Sequence, residues 1–369
     1  MELENITRKL YKKEDSELLE YNFEDGKKIE PMHYCPIIPM LLVNGSIGIG
    51  TGFSTTVYQY NPIDISNYIM NKIKNKENKD LIPWYSGFQG KILKTDENTF
   101  NCIGCYTVMK GSKLIVTELP VIGREKATYE YKQFLNTKIL ESPKDKEYSK
   151  RYIKDFKNYS TDNVVRFEIQ FAKGVLEEML LDKESFLKEL KLKKSFNTNN
   201  MHAFDSNNQI KKYNCVEKIV DDFYDYRKEL YQKRLNHLLE VLENDIVRNS
   251  AQAKFINDVI EKNIIVFNRP EQDIINDLTK NKYPLYAEKQ NDNPSYSYLL
   301  DISIRKMTKE QYNKLKEKIQ NLEEDHETLK SKTNLDLWKE DLDEFIVEYK
   351  KMEKARNAIL QKDIKKFKK

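Results

Sequence analysis

Residues 29–53 read IEPMHYCPIIPMLLVNGSIGIGTGF, and this stretch differs in character from the rest of the chain. Prolines at positions 31, 36 and 39 punctuate it, and an apolar run extends from Ile37 to Val43. Four of the chain's 11 glycines then fall within ten residues, at positions 45, 48, 50 and 52. Because glycine tolerates positive φ angles and close backbone approach, this density predicts a tight loop that lies against other backbone.

The glycine-rich loop does not fit the common nucleotide-binding motifs. It lacks the Gly-Lys-Ser/Thr ending of a P-loop and the glycine spacing of a dinucleotide site, which disfavours a nucleotide-binding enzyme. Exposed backbone N–H groups can instead meet phosphates, and an apolar residue held between glycines can enter between base pairs as a wedge. Ile49 is the candidate for such a wedge. A buried loop isoleucine is the alternative that the residues alone leave open.

Composition limits the class of protein and its partners. A chain of 369 residues predicts two or three structural units. Lys and Arg number 63 against 59 Asp and Glu, so the net charge of +4 does not by itself indicate nucleic acid, and a local basic patch would have to bind it. Cys102 and Cys105 form a C-x-x-C without a second pair nearby, which predicts reduced cysteines and no metal site. No apolar stretch is long enough to cross a bilayer, so we expect no membrane partner.

Strand patterns and helix patterns alternate in the middle of the chain. Residues 84–120 contain β-prone runs at 90–93, 102–109 and 114–119 with a turn at residues 110–112, and residues 164–171 alternate with period two, which predicts strands. Residues 128–142 and 174–192 show helical spacing.

Long helices are expected in the last third of the chain. From Val216 to Lys262 there is no Gly or Pro, and apolar residues recur in steps of three and four. A second long helix begins at Thr308, where Gln311 completes a capping box. Two such helices around a short insert predict an antiparallel coiled coil. An ordinary helical bundle is the alternative.

The stretch at residues 29–53 resembles the signature of eukaryotic and viral type IIA DNA topoisomerases. Further motifs follow in the family's order: PWYSGFQGKI at 83–92, TELP at 117–120, NNMHAFD at 199–205, KKY at 211–213, YLLD at 298–301 and DLWKEDL at 336–342. The bacterial gyrase version of the signature is related but lacks the Gly50-Thr51-Gly52 form. The resemblance extends over nearly the whole chain.

The resemblance implies an α+β multidomain fold with four parts. These are the end of a winged-helix region with a DNA-bending loop (1–56), an α/β tower domain (57–213), the two arms of a long antiparallel coiled coil (214–263 and 305–369) and a helical C-gate that dimerises (264–304).

The resemblance also assigns roles to individual residues. Ile49 matches the isoleucine that intercalates and bends the duplex, and residues 191–200 (KLKKSFNTNN) match a tower segment that touches DNA. Arg124 stands where several relatives have an aromatic residue in contact with DNA, a departure that puts stacking in doubt, although a guanidinium can still pair with a phosphate or stack. The expected DNA-binding residues besides Ile49 are Asn44, Gly48, Gly50, Thr51, Arg124, Lys191, Lys193, Lys194, Ser195, Asn197, Thr198, Asn199 and Asn200. From composition alone, the lysine run is a solvated basic face.

The chemistry of DNA cleavage is expected to lie outside this chain. The family's nucleophile is a tyrosine preceded by arginine, and the alignment of residues 3–10 places it before Met1. The acidic metal-binding fold and the ATP-binding domain are not matched either. We therefore expect no catalytic residue, no metal and no bound cofactor here, with Mg²⁺ and ATP used by the full enzyme. The sequence would be a fragment or one product of a split gene.

The expected partners are double-stranded DNA, a second copy through the C-gate, and the ATPase and nucleophile-bearing regions of the same or a partner chain. The expected location is the nucleus, or a cytoplasmic or viral site of DNA replication. The rival hypothesis is a non-enzymatic coiled-coil protein, structural or DNA-architectural, which accounts for residues 214–369 but not for residues 29–53.

Overall fold

The computed structural model describes residues 4–121, 127–139, 152–205, 208–287 and 293–366. The chain has an α+β fold with two compact units. The first unit comprises Met1–Lys13, Leu19–Arg227 and Lys339–Lys369, and the second comprises Glu14–Leu18 and Lys228–Trp338.

The first unit begins with short elements. In chain order they are α1 (Asn5–Leu10), β1 (Tyr21–Glu24), β2 (Lys27–Pro31), α2 (Met40–Asn44), β3 (Ser46–Ile49), β4 (Ser54–Val57) and α3 (Pro62–Ile73). β1 and β2 form an antiparallel hairpin whose turn holds Asp25 and Gly26 at positive φ. The strands of this hairpin were not predicted, because most of their residues are exposed and show no alternation.

The middle of the first unit is built from strands and short helices. They are β5 (Lys91–Asp96), β6 (Thr99–Ile103), β7 (Cys105–Met109), β8 (Lys113–Glu118), α4 (Ala127–Asn136), β9 (Ile153–Asn158), β10 (Phe167–Phe171), α5 (Val175–Met179), α6 (Lys183–Glu189) and β11 (Lys193–Asn197). Strands β7, β8, β10 and β9 form an antiparallel sheet in that order. Apolar side chains of this sheet and of α4, α5 and α6 make one core, which includes Leu114, Val116, Tyr131, Phe167, Ile169 and Phe186.

Two expectations for this region need correction. The predicted helix over 174–192 is two short helices, because Asp182 caps a new helix by accepting hydrogen bonds from the N–H groups of Glu184 and Ser185. The predicted β-run over 102–109 is divided at Gly104, where a Cβ would stand 2.2 Å from the carbonyl oxygen of Glu118. The hairpin turn predicted at 110–112 is confirmed between β7 and β8.

Strand β11 completes a three-stranded antiparallel sheet of order β11-β6-β5, and β12 (Met201–Phe204) pairs with β13 (Ile210–Tyr213). The remaining helices are α7 (Val216–Ile260), α8 (Glu271–Lys280), α9 (Ser297–Leu300), α10 (Lys309–Lys330) and α11 (Asn334–Lys366). The predicted uninterrupted helix after Val216 is confirmed. The second predicted helix begins as expected with Thr308 as its N-cap, and it ends at Lys330 before α11 starts.

In the second unit, α10 lies antiparallel to α7. Lys318 donates to Asn249 at 3.1 Å, His326 contacts Glu243 at 3.2 Å, and Asn334 donates to the carbonyl oxygen of Lys228 at 3.2 Å. As the residue numbers rise from Lys318 to Asn334, their contacts on α7 move back from Asn249 to Lys228, so the two chain directions are opposite. A separate apolar cluster, which includes Phe255, Ile264, Leu278, Tyr283, Tyr298 and Leu299, forms the core around α8 and α9. Within the described residues, no helix is long and apolar enough to cross a membrane.

One carboxylate on the four-stranded sheet links stability to pH. Glu168 pairs with Lys113 at 2.6 Å and with Arg166 at 2.9 Å, and these two cations hold the pKa of Glu168 below its ordinary value of 4.5. Because the folded-state pKa is depressed, the pairing contributes stability above pH 4.5, and this contribution is lost as the pH falls through the folded-state pKa.

We therefore expect Glu168→Gln to lower the free energy of unfolding by about 1 kcal/mol or less near neutral pH. The variant and the original chain should converge in strong acid, which urea unfolding at a series of pH values would measure. Glu178→Gln, an exposed carboxylate of α5, is the control and should leave the pH profile unchanged. A stability difference that stays constant from neutral pH to strong acid would contradict the assignment.

Candidate nucleic-acid interface

Strands β3 and β4 form a hairpin that projects the glycine-rich loop. The register pairs Ile47 with Thr56, Gly48 with Thr55 and Ile49 with Ser54. Gly50 N–H donates to the carbonyl oxygen of Phe53 at 2.7 Å, which closes the turn. Ile49 stands at the end of β3 and is 94% exposed, so the alternative of a buried loop isoleucine is wrong.

The glycines of the loop serve different purposes. Gly45 has φ +69°, and a Cβ there would lie 2.9 Å from the carbonyl oxygen of Val57, so both predicted reasons for glycine hold at this position. Gly52 also has a positive φ, of +82°, in open space. Gly48 and Gly50 do not have positive φ, and Gly48 has no neighbour within 4 Å of a Cβ position. Positive φ therefore applies to two of the four glycines and close backbone approach to Gly45, while Gly48 and Gly50 leave bare backbone beside Ile49.

The hairpin is attached to the segment that leads into β12. Thr56 N–H donates to the carbonyl oxygen of Asn200 at 2.7 Å, and the Asn200 side chain donates to Ser54 Oγ at 2.9 Å. Phe53 makes an edge-on contact with the ring of His202, with centroids 5.8 Å apart. The structure thus brings the glycine-rich hairpin together with the end of the segment 191–200.

Alternation along β11 divides the polar residues of this segment between two faces. Ser195 and Asn197 are exposed, and Ser195 donates to Asn101 Oδ1 at 2.6 Å. Phe196 points the other way, onto the rings of Tyr58 and Phe100 at 4.7 and 5.6 Å, where burial raises the pKa of Tyr58.

Thr198 follows β11 on its buried side and is only 4% exposed. Its prediction as a DNA contact therefore needs correction, because a buried hydroxyl does not reach a phosphate.

The three lysines of the segment differ in their surroundings. Lys193 Nζ pairs with Glu184 at 2.5 Å, and its side chain is 13% exposed. Lys191 is exposed, has φ +51°, and holds its Nζ 4.4 Å from the ring centroid of Phe134. Lys194 is half-buried in contact with its neighbours. The cationic group that is most accessible to a phosphate is therefore Lys191.

The other predicted residues are distributed around the hairpin. Asn44, at the end of α2, and Thr51, in the loop, are both exposed. Asn199 is exposed and Asn200 is half-buried beside Ser54. Arg124 lies outside the described residues.

Residues that the sequence did not single out also contribute. Asn101 on β6 bonds Ser195, and Thr55 on β4 bonds the backbone of His202. A cleft of about 510 Å³ lies beside Ile49, with Phe53, His202, Phe204 and Ile210 among the residues that line it. The alternation of polar and apolar residues at 99–102 was a sequence signal that Asn101 lies on the less buried face of a strand, whereas the position of Thr55 depends on tertiary packing. Within the described part of the chain, no group of three or more His, Cys, Asp or Glu residues is placed to hold a metal.

Comparison with solved structures identifies the class of fold. The chain superimposes on the DNA-binding, cleavage and re-ligation domain of Plasmodium falciparum topoisomerase II with a TM-score of 0.78 and 28% sequence identity, covering 97% of this chain and 50% of that one. The α+β architecture described above is therefore that of a type II topoisomerase DNA-binding and cleavage domain.

The sequence profile of the DNA gyrase/topoisomerase IV family, which describes the A-type subunits of those enzymes, matches residues 1–343, and this chain belongs to that family of type IIA topoisomerases. It is 36% identical to the mitochondrial DNA topoisomerase 2 of Dictyostelium discoideum and 32% identical to a DNA topoisomerase 2 of Caenorhabditis elegans, covering 98% and 99% of this chain. It matches 27% and 26% of those two relatives, and 47% of a topoisomerase-like protein of C. elegans. The chain is thus homologous to one region of DNA topoisomerase 2, an isomerase, and spans a quarter to a half of the relatives' length.

Gly45 has a positive φ and a close backbone neighbour, whereas Gly48 has neither, and this difference can be tested directly. Gly45→Ala should lower the free energy of unfolding by more than about 1 kcal/mol, because a side chain at positive φ is strained and this one meets the Val57 carbonyl. Gly48→Ala should leave stability unchanged or raise it by up to about 1 kcal/mol, since its φ is ordinary and its surroundings are open. Urea unfolding of both variants measures the difference, and equal effects would contradict this description of the hairpin.

Proposed function

We propose that this chain is the DNA-gate and C-gate part of an ATP-dependent type IIA topoisomerase, and that it grips and bends the duplex that the full enzyme cleaves. The observation that carries the proposal is the position of Ile49, 94% exposed at the tip of a hairpin that is bonded to the polar segment ending at Asn200. The family assignment favours this function over a structural coiled-coil protein, because it accounts for residues 29–53 as well as for the long helices.

The wedge role of Ile49 follows from its surroundings. An isoleucine is normally buried, and one this exposed has a large apolar surface that a partner can cover. Opening a base step costs a few kcal/mol, and the wider contact that a bent duplex makes with the protein offsets that cost. The bare backbone at Gly48 and Gly50 allows the groove to approach the wedge closely.

Polar groups of the segment 191–200 are suited to hold the phosphates. Lys191 is the most exposed of the segment's three lysines, and Ser195, Asn197 and Asn199 are exposed hydrogen-bonding groups on or next to β11. Contacts of this kind fix the position of a protein on DNA without reading its sequence. We assign supporting roles to Asn44, Gly48, Gly50, Thr51, Lys194 and Asn200, and we remove Thr198 from the interface because it is buried.

The second unit supplies dimerisation in this proposal. Residues 264–304 would form the C-gate, and the helices at 214–263 and 305–369 its coiled-coil arms. Several large apolar side chains of this unit are exposed, including Ile265, Phe267, Leu285 and Ile304. A second copy related by two-fold symmetry is the partner that such surfaces fit in a homodimeric enzyme.

We propose that the nucleophilic tyrosine, the acidic Mg²⁺ site and the ATPase belong to other regions of the same or a partner chain. This chain would then contribute binding, bending and the exit gate without cutting DNA, in the nucleus or at a cytoplasmic or viral site of DNA replication.

Two isoleucines of one strand provide a matched test of the wedge. Ile49→Ala should abolish most of the DNA bending, because it removes the side chain that opens the base step. Ile47→Ala removes the same side chain from a position two residues back, where it is 73% exposed, and should leave bending nearly unchanged. Energy transfer between fluorophores at the two ends of a short duplex measures the bend. Unchanged bending by Ile49→Ala would contradict the proposed function.

The grip is tested by the salt dependence of binding. Lys191→Gln should reduce the slope of log affinity against log salt concentration by about 0.9, the value for one phosphate contact on duplex DNA. Lys193→Gln should have a smaller effect, because Glu184 already pairs with that lysine. The control is Lys157→Gln, which removes an exposed charge from β9. Equal slopes for Lys191→Gln and the control would remove Lys191 from the interface.

A further inference from the structure

The contact between β4 and β12 is made in an unusual way. Each strand already has a ladder partner, since β4 pairs with β3 and β12 pairs with β13. Among the described residues, one backbone hydrogen bond joins β4 to the chain at β12, from Thr56 N–H to the Asn200 carbonyl at 2.7 Å. The neighbouring residue of β4, Thr55, is joined to β12 through its side chain instead of through its backbone.

The hydroxyl of Thr55 makes that connection in both directions. It accepts a hydrogen bond from His202 N–H at 3.0 Å and donates one to the His202 carbonyl oxygen at 2.8 Å. One side-chain oxygen thereby satisfies the donor and the acceptor that a neighbouring strand would otherwise satisfy with two backbone groups. Thr55 is half-buried, so water does not freely replace it.

The register places this connection directly behind the wedge. Thr55 is paired across the hairpin with Gly48, and Ser54 is paired with Ile49. Ser54 is itself held by the Asn200 side chain at 2.9 Å. The two residues that face Gly48 and Ile49 are thus both attached to the segment at 200–202.

We propose that Thr55 is the positioning residue of the Ile49 wedge, and that its hydroxyl couples insertion of the wedge to the grip of the segment at 195–202 on the DNA backbone. The inference rests on the proposed DNA-bending function and adds to it a specific coupling element that does not touch DNA.

The physical reason is the weakness of a lone hairpin. A two-stranded hairpin is marginally stable in water, and the one that carries Ile49 has exposed residues along all of β3 beyond Ser46. A wedge that yields when it meets stacked bases does not open them, whereas a fixed wedge transfers the force to the rest of the interface. Without the Thr55 hydroxyl, His202 N–H and C=O would lose this partner, and the hydrogen bonds of the Thr56 backbone and the Ser54 side chain would remain between the hairpin and the segment at 200–202.

The test compares three single substitutions in the full chain. Thr55→Val removes the hydroxyl and keeps the shape, Thr55→Ser keeps the hydroxyl, and Thr56→Val makes the same chemical change one residue on, where no hydrogen bond of the hydroxyl is described. Each variant is assayed for bending by end-to-end energy transfer. Affinity is measured for two probes, an intact duplex and a duplex already bent by an unpaired bulge.

We expect Thr55→Val to lose at least about half of the bending signal and to bind the intact duplex about tenfold more weakly, the change that a free-energy loss of about 1.4 kcal/mol produces. Its affinity for the pre-bent duplex should change by no more than about twofold, because bending that DNA no longer costs free energy. Thr55→Ser should restore both properties, and Thr56→Val should match the original chain.

Several outcomes would overturn the inference. One is bending by Thr55→Val equal to that of the original chain, and another is an equal loss of affinity for both duplexes, which would indicate general damage to the fold. A loss of bending by Thr56→Val as large as that by Thr55→Val would also overturn the inference. If Ile49→Ala abolishes bending while Thr55→Val does not, this inference alone fails. If Ile49→Ala has no effect on bending, the proposed function itself fails.

Thermal unfolding followed by circular dichroism establishes that each variant is folded. Should Thr55→Val not fold, Ser54→Ala replaces it, because it removes the other side-chain connection to the segment at 200–202. We expect it to reduce bending more than Thr56→Val does. Equal bending by Ser54→Ala and Thr56→Val would then overturn the coupling.

Discussion

The hairpin that carries Ile49 depends on the buried base from which it rises. Tyr60 N–H donates to the carbonyl oxygen of Leu42 at 2.8 Å, which joins the chain entering the hairpin to the chain leaving it. Leu42 is fully buried and Tyr60 is 1% exposed. Gly45 then lets the two backbones approach where a side chain would strike the Val57 carbonyl. Because this base is buried, the exposed hairpin rises from a fixed support instead of forming a loose loop.

Patterns that arise within a few residues were predictable from the sequence. The uninterrupted helix from Val216, the buried face of β10 and the N-cap at Thr308 each follow from local spacing. The β1–β2 hairpin was missed because a strand without a buried face has no alternation to detect. The division of 174–192 into two helices depends on a single cap at Asp182, which a search for apolar periodicity overlooks.

In the candidate site, too, features that depend on tertiary packing could not be predicted from local sequence patterns. Glycine density and the resemblance both predicted the loop, whereas the resemblance alone predicted a DNA-binding role for the segment 191–200. The burial of Thr198 and the pairing of Lys193 with Glu184 were not, since both depend on which face of β11 packs against the core. Thr55 was missed for a related reason. Its hydroxyl matters only because β12, nearly 150 residues away in the chain, lies beside it.

The charge distribution bears on how the proposed interface selects DNA. The chain has a net charge of only +4, and Lys193 of the segment 191–200 is already paired with Glu184. Counterion release, which scales with the number of phosphates neutralised, would therefore provide a modest share of binding in the proposed interface. The rest would come from neutral donors and from the fit of a bent duplex around Ile49. Since the cost of bending depends on the base steps that are deformed, an interface of this kind would discriminate between DNA sites by their flexibility instead of by their base edges.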